Sequence, residues 1–194
     1  LLMENNSITI GIPFYFNTTP REFILALDSI LNQTIQVYEI HLIQDGNIDA
    51  ELQNIVYGYL NKYNFIKHIK LPKSNLSTVL NHSIKLSKTK YYVRMDSDDI
   101  SIPKRVELQH DFLESNPSID ILGSWAIEFE NDMNNPNNFI KKVPDDYSNI
   151  IKFYHYRNPL IHPTIMFRKD VFNTIGYYNE KLNSDPRFRI VGSC

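Results

Sequence analysis

The sequence predicts an α/β domain, a three-layer α/β/α sandwich around a mostly parallel central sheet. Three observations carry that expectation. Short β-rich runs alternate with helical patterns through the first 117 residues, the rhythm of βαβ units. Runs such as Ser7 to Pro13 and Tyr38 to Ile43 read as strands buried on both faces, as a sheet covered by helices on each side requires. The size is also right, since 194 residues with 42% hydrophobic and 22% charged content can form one domain with a substantial core.

Each element has its own signal. After the first strand, Thr19-Pro20-Arg21-Glu22 supplies a capping box with proline at the first helical position. Phe23, Ala26, Leu27, Ile30 and Leu31 then recur on one helical face. The second strand runs from Tyr38 into Gln44-Asp45-Gly46. A helix fits Ala50 to Tyr63, and a third strand fits Phe65 to Leu71. Leu76, Val79, Leu80, Ile84 and Leu86 space a third helix, and Tyr91 to Met95 form a fourth strand that breaks at Asp96-Ser97-Asp98-Asp99. Pro103 opens a helix to about Leu113, stopped at Asn116-Pro117. Past residue 118 the rhythm changes. Ile119 to Glu130 reads as a long strand or bent ribbon, Asn131 to Asn138 as a polar turn, and Tyr147 to Tyr156 as a short helix capped by Asp145 or Asp146. Pro163 to Arg168 reads as a strand, and Lys169 to Ile175 as a helix ended by Gly176.

Composition narrows the function. A net charge of −2 and a pI near 6.3 offer no global attraction for nucleic acid, so an anionic ligand needs a local device. No run of about 18 apolar residues is present, so no transmembrane segment is expected. One cysteine, Cys194, excludes an internal disulfide framework and suits a reduced, cytoplasmic protein. The opening Leu1-Leu2-Met3 is consistent with a native start at Met3, and the last residues show no closing element, which suggests a C-terminally incomplete acceptor-binding part.

The chemistry-bearing residues follow strand ends, where open parallel sheets bind ligands. Asp96 and Asp98 lie two apart, so in extended chain they point to the same side. Three carboxylates within four residues repel one another, and a divalent cation relieves that cost; all-oxygen ligands suit Mg²⁺ or Mn²⁺. The same cluster also reads as a solvated acidic turn before the next helix. Asp45 could accept hydrogen bonds from a base or ribose, or belong to a simple turn with Gly46. Pro13 to Asn17 offers aromatic rings for stacking on a base, or for packing on the core. No GxxxxGK[ST] or GxGxxG is present, which argues against a kinase, a P-loop NTPase or an NAD enzyme.

Taken together, these segments resemble family 2 glycosyltransferases of the GT-A (Rossmann-like) fold, of the bacterial surface-polysaccharide type, over essentially the whole length. The resemblance is carried by Ile12-Pro13-Phe14-Tyr15, Ala26 to Thr34, Asp45-Gly46, Leu80-Asn81, Arg94 to Arg105, Asn158 to Arg168 and Gly176 to Lys181. It implies an enzyme that moves a sugar from a nucleotide sugar, UDP-linked, to an acceptor hydroxyl with inversion and with Mn²⁺ or Mg²⁺. It implies that Pro13, Tyr15, Asp45, Asn81, Asp96 and Arg105 hold the nucleotide sugar, that Asp98 and Asp99 hold the metal, and that His162 lies toward the acceptor. Arg105 reads equally as a brace for the acidic loop, and His162 as a structural histidine. Residues 3–117 would form the nucleotide-binding part and 118–194 the start of the acceptor-binding part of a single domain 1–194.

Departures from the pattern matter too. Asn75 stands where the family usually has glycine, and Gln44 where it often has aspartate. The expected Glu-Asp base falls on Pro186-Arg187, leaving Asp185 as the nearest carboxylate to take the acceptor proton. An inert or truncated nucleotide-sugar-binding domain is the alternative. The expected partners are a nucleotide-sugar donor and a saccharide or lipid-linked acceptor. No nucleic acid is expected, and the implied setting is cytoplasmic, with peripheral association at the inner face of the membrane.

Overall fold

The structure is a computed structural model describing residues 7–129, 135 and 138–181. Leu1-Leu2-Met3, Asp185, Pro186-Arg187, Cys194 and most of the predicted polar turn lie outside the described residues.

β1 (Ile8–Tyr15), β2 (Glu39–Asp45), β3 (Ile66–Leu71) and β4 (Tyr91–Arg94) pair in parallel, in the order β3-β2-β1-β4. The crossovers are α1 (Pro20–Leu31), α2 (Ala50–Lys62) and α3 (Leu76–Leu86). α1 begins where its capping box demands: the Thr19 hydroxyl accepts the Glu22 N–H at 3.3 Å and donates to the Glu22 carboxylate at 2.7 Å. Phe23, Ala26, Leu27 and Ile30 are then fully buried against the sheet, each large side chain contributing about 1.5–3 kcal/mol. Together with α2 and α4 (Arg105–Ser115), this helix covers one face of the sheet, where Ile10, Ile12, Leu42, Val56 and Val106 form the main core. α3 covers the other face, where Leu80, Ile84, Tyr92 and Phe167 make a second cluster. The expected three layers are therefore present.

The α3 face also buries a polar chain. The Tyr92 hydroxyl donates to Ser83 Oγ at 2.6 Å, Ser83 Oγ meets His41 Nδ1 at 2.9 Å, and His41 Nε2 meets Glu39 Oε1 at 3.0 Å. Tyr92 crosses directly over Gly11, where an added Cβ would stand 1.8 Å from its hydroxyl oxygen. Only glycine fits beneath that ring.

The second half departs from the sequence expectation. The long ribbon from Ile119 to Glu130 is split. β5 (Ile121–Leu122) joins the main sheet, while β6 (Ala126–Glu128) pairs with β7 (Phe139–Lys141) in a separate antiparallel hairpin that the sequence did not announce. The break falls at Ser124, whose N–H donates to Thr164 Oγ1 at 3.0 Å and whose carbonyl accepts from it at 3.1 Å. The strand expected from Pro163 begins only at β8 (Met166–Arg168), because His162–Thr164 form a 3₁₀ turn; proline lacks the N–H a ladder needs. β8 runs antiparallel between β4 and β5. Asp146, rather than Asp145, caps α5 (Tyr147–Tyr154), and α6 (Val171–Ile175) stops at Gly176. Pro103 and Lys104 form a turn, so α4 starts at Arg105. Among the described residues, no helix is long and apolar enough to cross a membrane.

Candidate active site

β1 and β4 are neighbours, yet the chain leaves β1 toward β2 and returns from β3 to β4 on the other side. That reversal of order opens a crevice at the carboxyl ends of the strands. A cleft of about 510 Å³ lies there, lined by Pro13 and Tyr15 from β1, Asp45 from β2, Arg94 from β4, and Asp96 and Asp98 just beyond.

At one end of the cleft, Asp45 closes β2 with both carboxylate oxygens engaged. Oδ2 accepts from Lys73 Nζ at 2.7 Å, and Oδ1 accepts from the Ser74 N–H at 2.6 Å and its hydroxyl at 3.2 Å. Lys73 also lies over the ring of Tyr15, 5.2 Å from its centroid, and over that of Phe16. Gly46 makes the tight turn behind Asp45 with φ 78°, a conformation side chains resist. An aromatic ring, a carboxylate and an exposed cation therefore share this end. Gln44 turns away from it, bonded to His68 and to the Gly46 carbonyl.

At the other end, Asp96, Asp98 and Asp99 each offer a carboxylate oxygen, all within 4.8 Å of one another. The loop that carries them is held from behind. The Ser97 hydroxyl meets Thr18 Oγ1 at 3.2 Å, the Ser101 N–H donates to Ser29 Oγ at 3.0 Å, and the Gln33 amide donates to the Ile102 carbonyl at 2.9 Å. The Val106 N–H donates to Gln33 Oε1, and the Thr34 N–H to the Pro103 carbonyl. The Ser29-to-Thr34 run is thus the cradle of the acidic loop, which explains those polar residues at the end of an apolar helix. Burial and the two neighbouring carboxylates push Asp99 up to about 6. Burial raises Asp96 as well, against the pull of Arg94, whose Nη2 forms an ion pair with Asp96 Oδ1 at 2.7 Å. Crowded oxygens whose ionisation is disfavoured fit a divalent cation, which relieves both burdens.

Three other expected site residues face elsewhere. Arg105 does not line the cleft. Its Nη2 donates to the Arg94 and Pro163 carbonyls, both at 2.9 Å, its Nε to Gln109, and its Nη1 to Met95 Sδ. Burial holds it down to about 10. These bonds tie the acidic loop to the Pro163 turn, so the brace is the role its surroundings fit. Asn81 is likewise buried and consumed internally. It donates to the Tyr178 carbonyl at 2.9 Å and to Glu180 Oε1 at 2.8 Å, and accepts the Tyr178 N–H at 3.0 Å. Its amide latches α3 to the returning chain rather than facing a ligand in the cleft. His162 packs edge-on against Tyr178, with its Nε2 3.2 Å from the phenol oxygen. Burial, and secondarily Arg94, push its pKa down to about 2, so the ring is neutral.

The glycosyl transferase family 2 pattern matches residues 9–176. The chain belongs to that family. Within family 2, it is 34% identical over 186 residues to an Escherichia coli protein named UDP-Gal:alpha-D-GlcNAc-diphosphoundecaprenol beta-1,3-galactosyltransferase, covering 94% of this chain and 66% of that one. It is 32% identical to the O-antigen biosynthesis glycosyltransferase WbnJ of E. coli, covering 88% and 66%. The chain thus spans just under two thirds of the length of these relatives. Staphylococcus aureus TarS 1-349 in complex with UDP-GlcNAc superposes with a TM-score of 0.68 at 21% identity over 93% of this chain and 51% of that one. The Pyrobaculum calidifontis mannosyltransferase PcManGT, in complex with GDP-Man and Mn²⁺, gives 0.64 at 10% identity, covering 93% and 49%. These structural likenesses bear out the GT-A fold.

For this family 2 chain, sequence reasoning missed Lys73 and Arg94 as cleft residues. Lys73 lies in a polar loop with no spacing signal, and Arg94 opened the Arg94-to-Arg105 run without a role of its own. Their sign was a clue, because the acidic site needs compensating cations nearby.

Proposed function

We propose that the chain binds a nucleoside diphosphate sugar, UDP-linked, and transfers the sugar with inversion to an acceptor hydroxyl. The observation that carries this is one cleft lined by Tyr15 and Asp45 and by Asp96 and Asp98, whose carboxylates gather with that of Asp99 within 4.8 Å. On this reading Tyr15 stacks on the base and Asp45 accepts its N–H once Lys73 swings aside. Asp96 takes the ribose hydroxyls, while Asp98 and Asp99 hold Mn²⁺ or Mg²⁺. Such a cation would supply Lewis-acid neutralisation of the departing diphosphate. The acceptor oxygen forms the new bond to the anomeric carbon as the bond to the β-phosphate oxygen breaks, its electron pair leaving with the diphosphate. The acceptor proton passes to a carboxylate, for which the sequence offers Asp185.

On this reading residues 3–117 form the donor-binding part, and 118–194 contribute to the acceptor-binding part. The names of the E. coli relatives, one with a diphosphoundecaprenol-linked sugar and one in O-antigen biosynthesis, support a saccharide or lipid-linked acceptor in surface-polysaccharide assembly; on this reading the chain works in the cytoplasm, peripherally at the inner face of the membrane. A thermal-shift panel of UDP-, GDP- and TDP-sugars with and without Mn²⁺ tests the donor. A ligand at 100 times its Kd stabilises by about 2.7 kcal/mol. Asp98→Ala should abolish the metal-dependent part of UDP binding in calorimetry, and unchanged affinity would overturn the metal assignment. Turnover by this chain, lost in Asp185→Ala, would exclude an inert binding domain.

A further inference from the structure

The β6–β7 ribbon pairs Ala126 with Lys141, Ile127 with Ile140 and Glu128 with Phe139. Side chains alternate between the two faces of such a ribbon, and partners across it share a face. One face carries Glu128 and Lys141, joined in an ion pair at 2.7 Å. The other carries Ile127 and Ile140 and, one step nearer the main sheet, Trp125 and Lys142, whose ammonium stands 4.8 Å from the centre of the indole ring. Trp125, Ile127 and Ile140 are 46%, 51% and 49% exposed. Large apolar side chains half open to water on one face form a contact surface rather than scattered exposure. The indole is nonetheless fixed, because its N–H donates to the Val143 carbonyl at 2.9 Å. Among the described residues, Lys142 has no carboxylate partner.

The ribbon starts at the reactive edge of the sheet. β8 is antiparallel to both β4 and β5, so β5 runs in the same direction as β4, two strand positions away. The chain therefore leaves β5 at the carboxyl edge, where Ser124 is tied to Thr164, and passes straight into Trp125. Two strand spacings amount to about 10 Å, and Arg105 joins the last carbonyl of β4 to that of Pro163 in the same turn. Trp125 and Lys142 thus stand on the acidic-loop side of the cleft, with Ile127 and Ile140 further along the ribbon. The face is aromatic and cationic near the sheet and aliphatic beyond. A lipid-linked glycosyl diphosphate has the same order of chemistry. Its sugar ring offers C–H groups to an indole face, its diphosphate offers charge to an ammonium, and a hydrocarbon chain follows. With a net charge of −2 the chain as a whole does not attract such an anion, and Lys142 is the local device it needs.

We propose that the Trp125 face of the β6–β7 ribbon is the acceptor subsite. The indole stacks on the acceptor's sugar, Lys142 meets its diphosphate, and Ile127 and Ile140 carry the start of its lipid. The assignment rests on the transferase reading above and adds the residues that select a lipid-linked acceptor over a free sugar.

Trp125 is the one tryptophan in the chain, so its emission reports this site directly. The intact chain with Mn²⁺ is titrated with the decyl diphosphates of glucose and of N-acetylglucosamine, with decyl diphosphate lacking a sugar, with the decyl glycosides lacking phosphate, and with phosphatidylglycerol vesicles. At least one glycosyl diphosphate should change the emission saturably below about 1 mM. It should bind at least tenfold more tightly than the compounds missing sugar or phosphate. Lys142→Gln should weaken it at least fivefold while leaving the decyl glycosides within twofold. Ile127→Ser should weaken it at least fivefold while leaving the methyl diphosphate of the same sugar within twofold. Both side chains are exposed, so neither change disturbs the core, and UDP affinity by calorimetry should hold within twofold in each. No saturable change with either glycosyl diphosphate, equal binding of sugar-free decyl diphosphate, or an affinity untouched by Lys142→Gln would each refute the subsite. A response to vesicles alone would make the face a membrane contact instead. If the glycosyl diphosphate binds through Lys142 while UDP does not bind with Mn²⁺, the subsite stands and the donor reading falls.

Discussion

Arg105→Met separates a brace from a ligand contact. In the structure the guanidinium supplies 2.9 Å hydrogen bonds to the Arg94 and Pro163 carbonyls and sits 8% exposed. Methionine fills much of the volume but donates nothing. Each carbonyl stripped of its donor costs about 1–3 kcal/mol, so the pair costs about 2–6 kcal/mol; relief of a desolvated cation returns part, leaving a net loss of about 2–4 kcal/mol. For a chain of this size that lowers Tm by roughly 10 °C. Urea unfolding reads the stability, and calorimetry well below the transition reads UDP affinity in Mn²⁺. The brace requires a destabilised protein whose UDP affinity stays within about threefold. A variant as stable as the parent within 1 kcal/mol but weakened more than tenfold for UDP would refute the reasoning and return Arg105 to the ligand.

Three further outcomes follow from the same contacts. Gly11→Ala drives a Cβ to 1.8 Å from the Tyr92 hydroxyl oxygen and 2.6 Å from its ring carbon, so urea unfolding should show a loss of about 1–3 kcal/mol; a loss under 0.5 kcal/mol would mean the ring is free to move. Asn81→Ala removes all three bonds of the Tyr178 latch and should cost about 2–3 kcal/mol while speeding hydrogen exchange at the Tyr178 amide; unchanged exchange there would refute the latch. His162 is neutral in the folded state down to about pH 2, while the unfolded chain protonates near the ordinary value of 6.5. The unfolded state thus binds the extra proton below that pH, so the contribution of His162 is present above about pH 6.5 and lost as pH falls. His162→Asn should reduce the proton uptake on unfolding at pH 4–5 by about one, and an unchanged slope of stability against pH would disprove the burial argument. Asp99 works in the opposite sense between about pH 6 and 4, because its raised pKa makes the folded state take up the proton first.

The parallel half of the sheet was legible because its signals are local. A capping box, a helical stripe and strands apolar on both faces each act within a dozen residues, and α1 through β4 begin and end within two residues of their predicted bounds. The strand ends carrying Tyr15, Asp45 and Asp96–Asp99 followed directly, since a parallel sheet puts all of them at one edge. The second half was less legible because its strands are two or three residues long. Such strands exist only through their partners: β8 lies between β4 and β5, and Thr164 decides where the ribbon breaks.

The amino-acid sequence alone determined the α/β class, the family, and the two polar ends of the cleft, because periodicity and motif order are properties of the chain. Only the tertiary structure decided what each polar residue does. Asn81 and Arg105 carry the same motif signal as a ligand contact, yet their donors meet backbone carbonyls from more than fifty residues away. Arg94 carried no role of its own, yet it ends with two nitrogens facing no acceptor. A hydrogen bond is spent on whichever partner folding brings within 3 Å, and that distance is not a property of sequence.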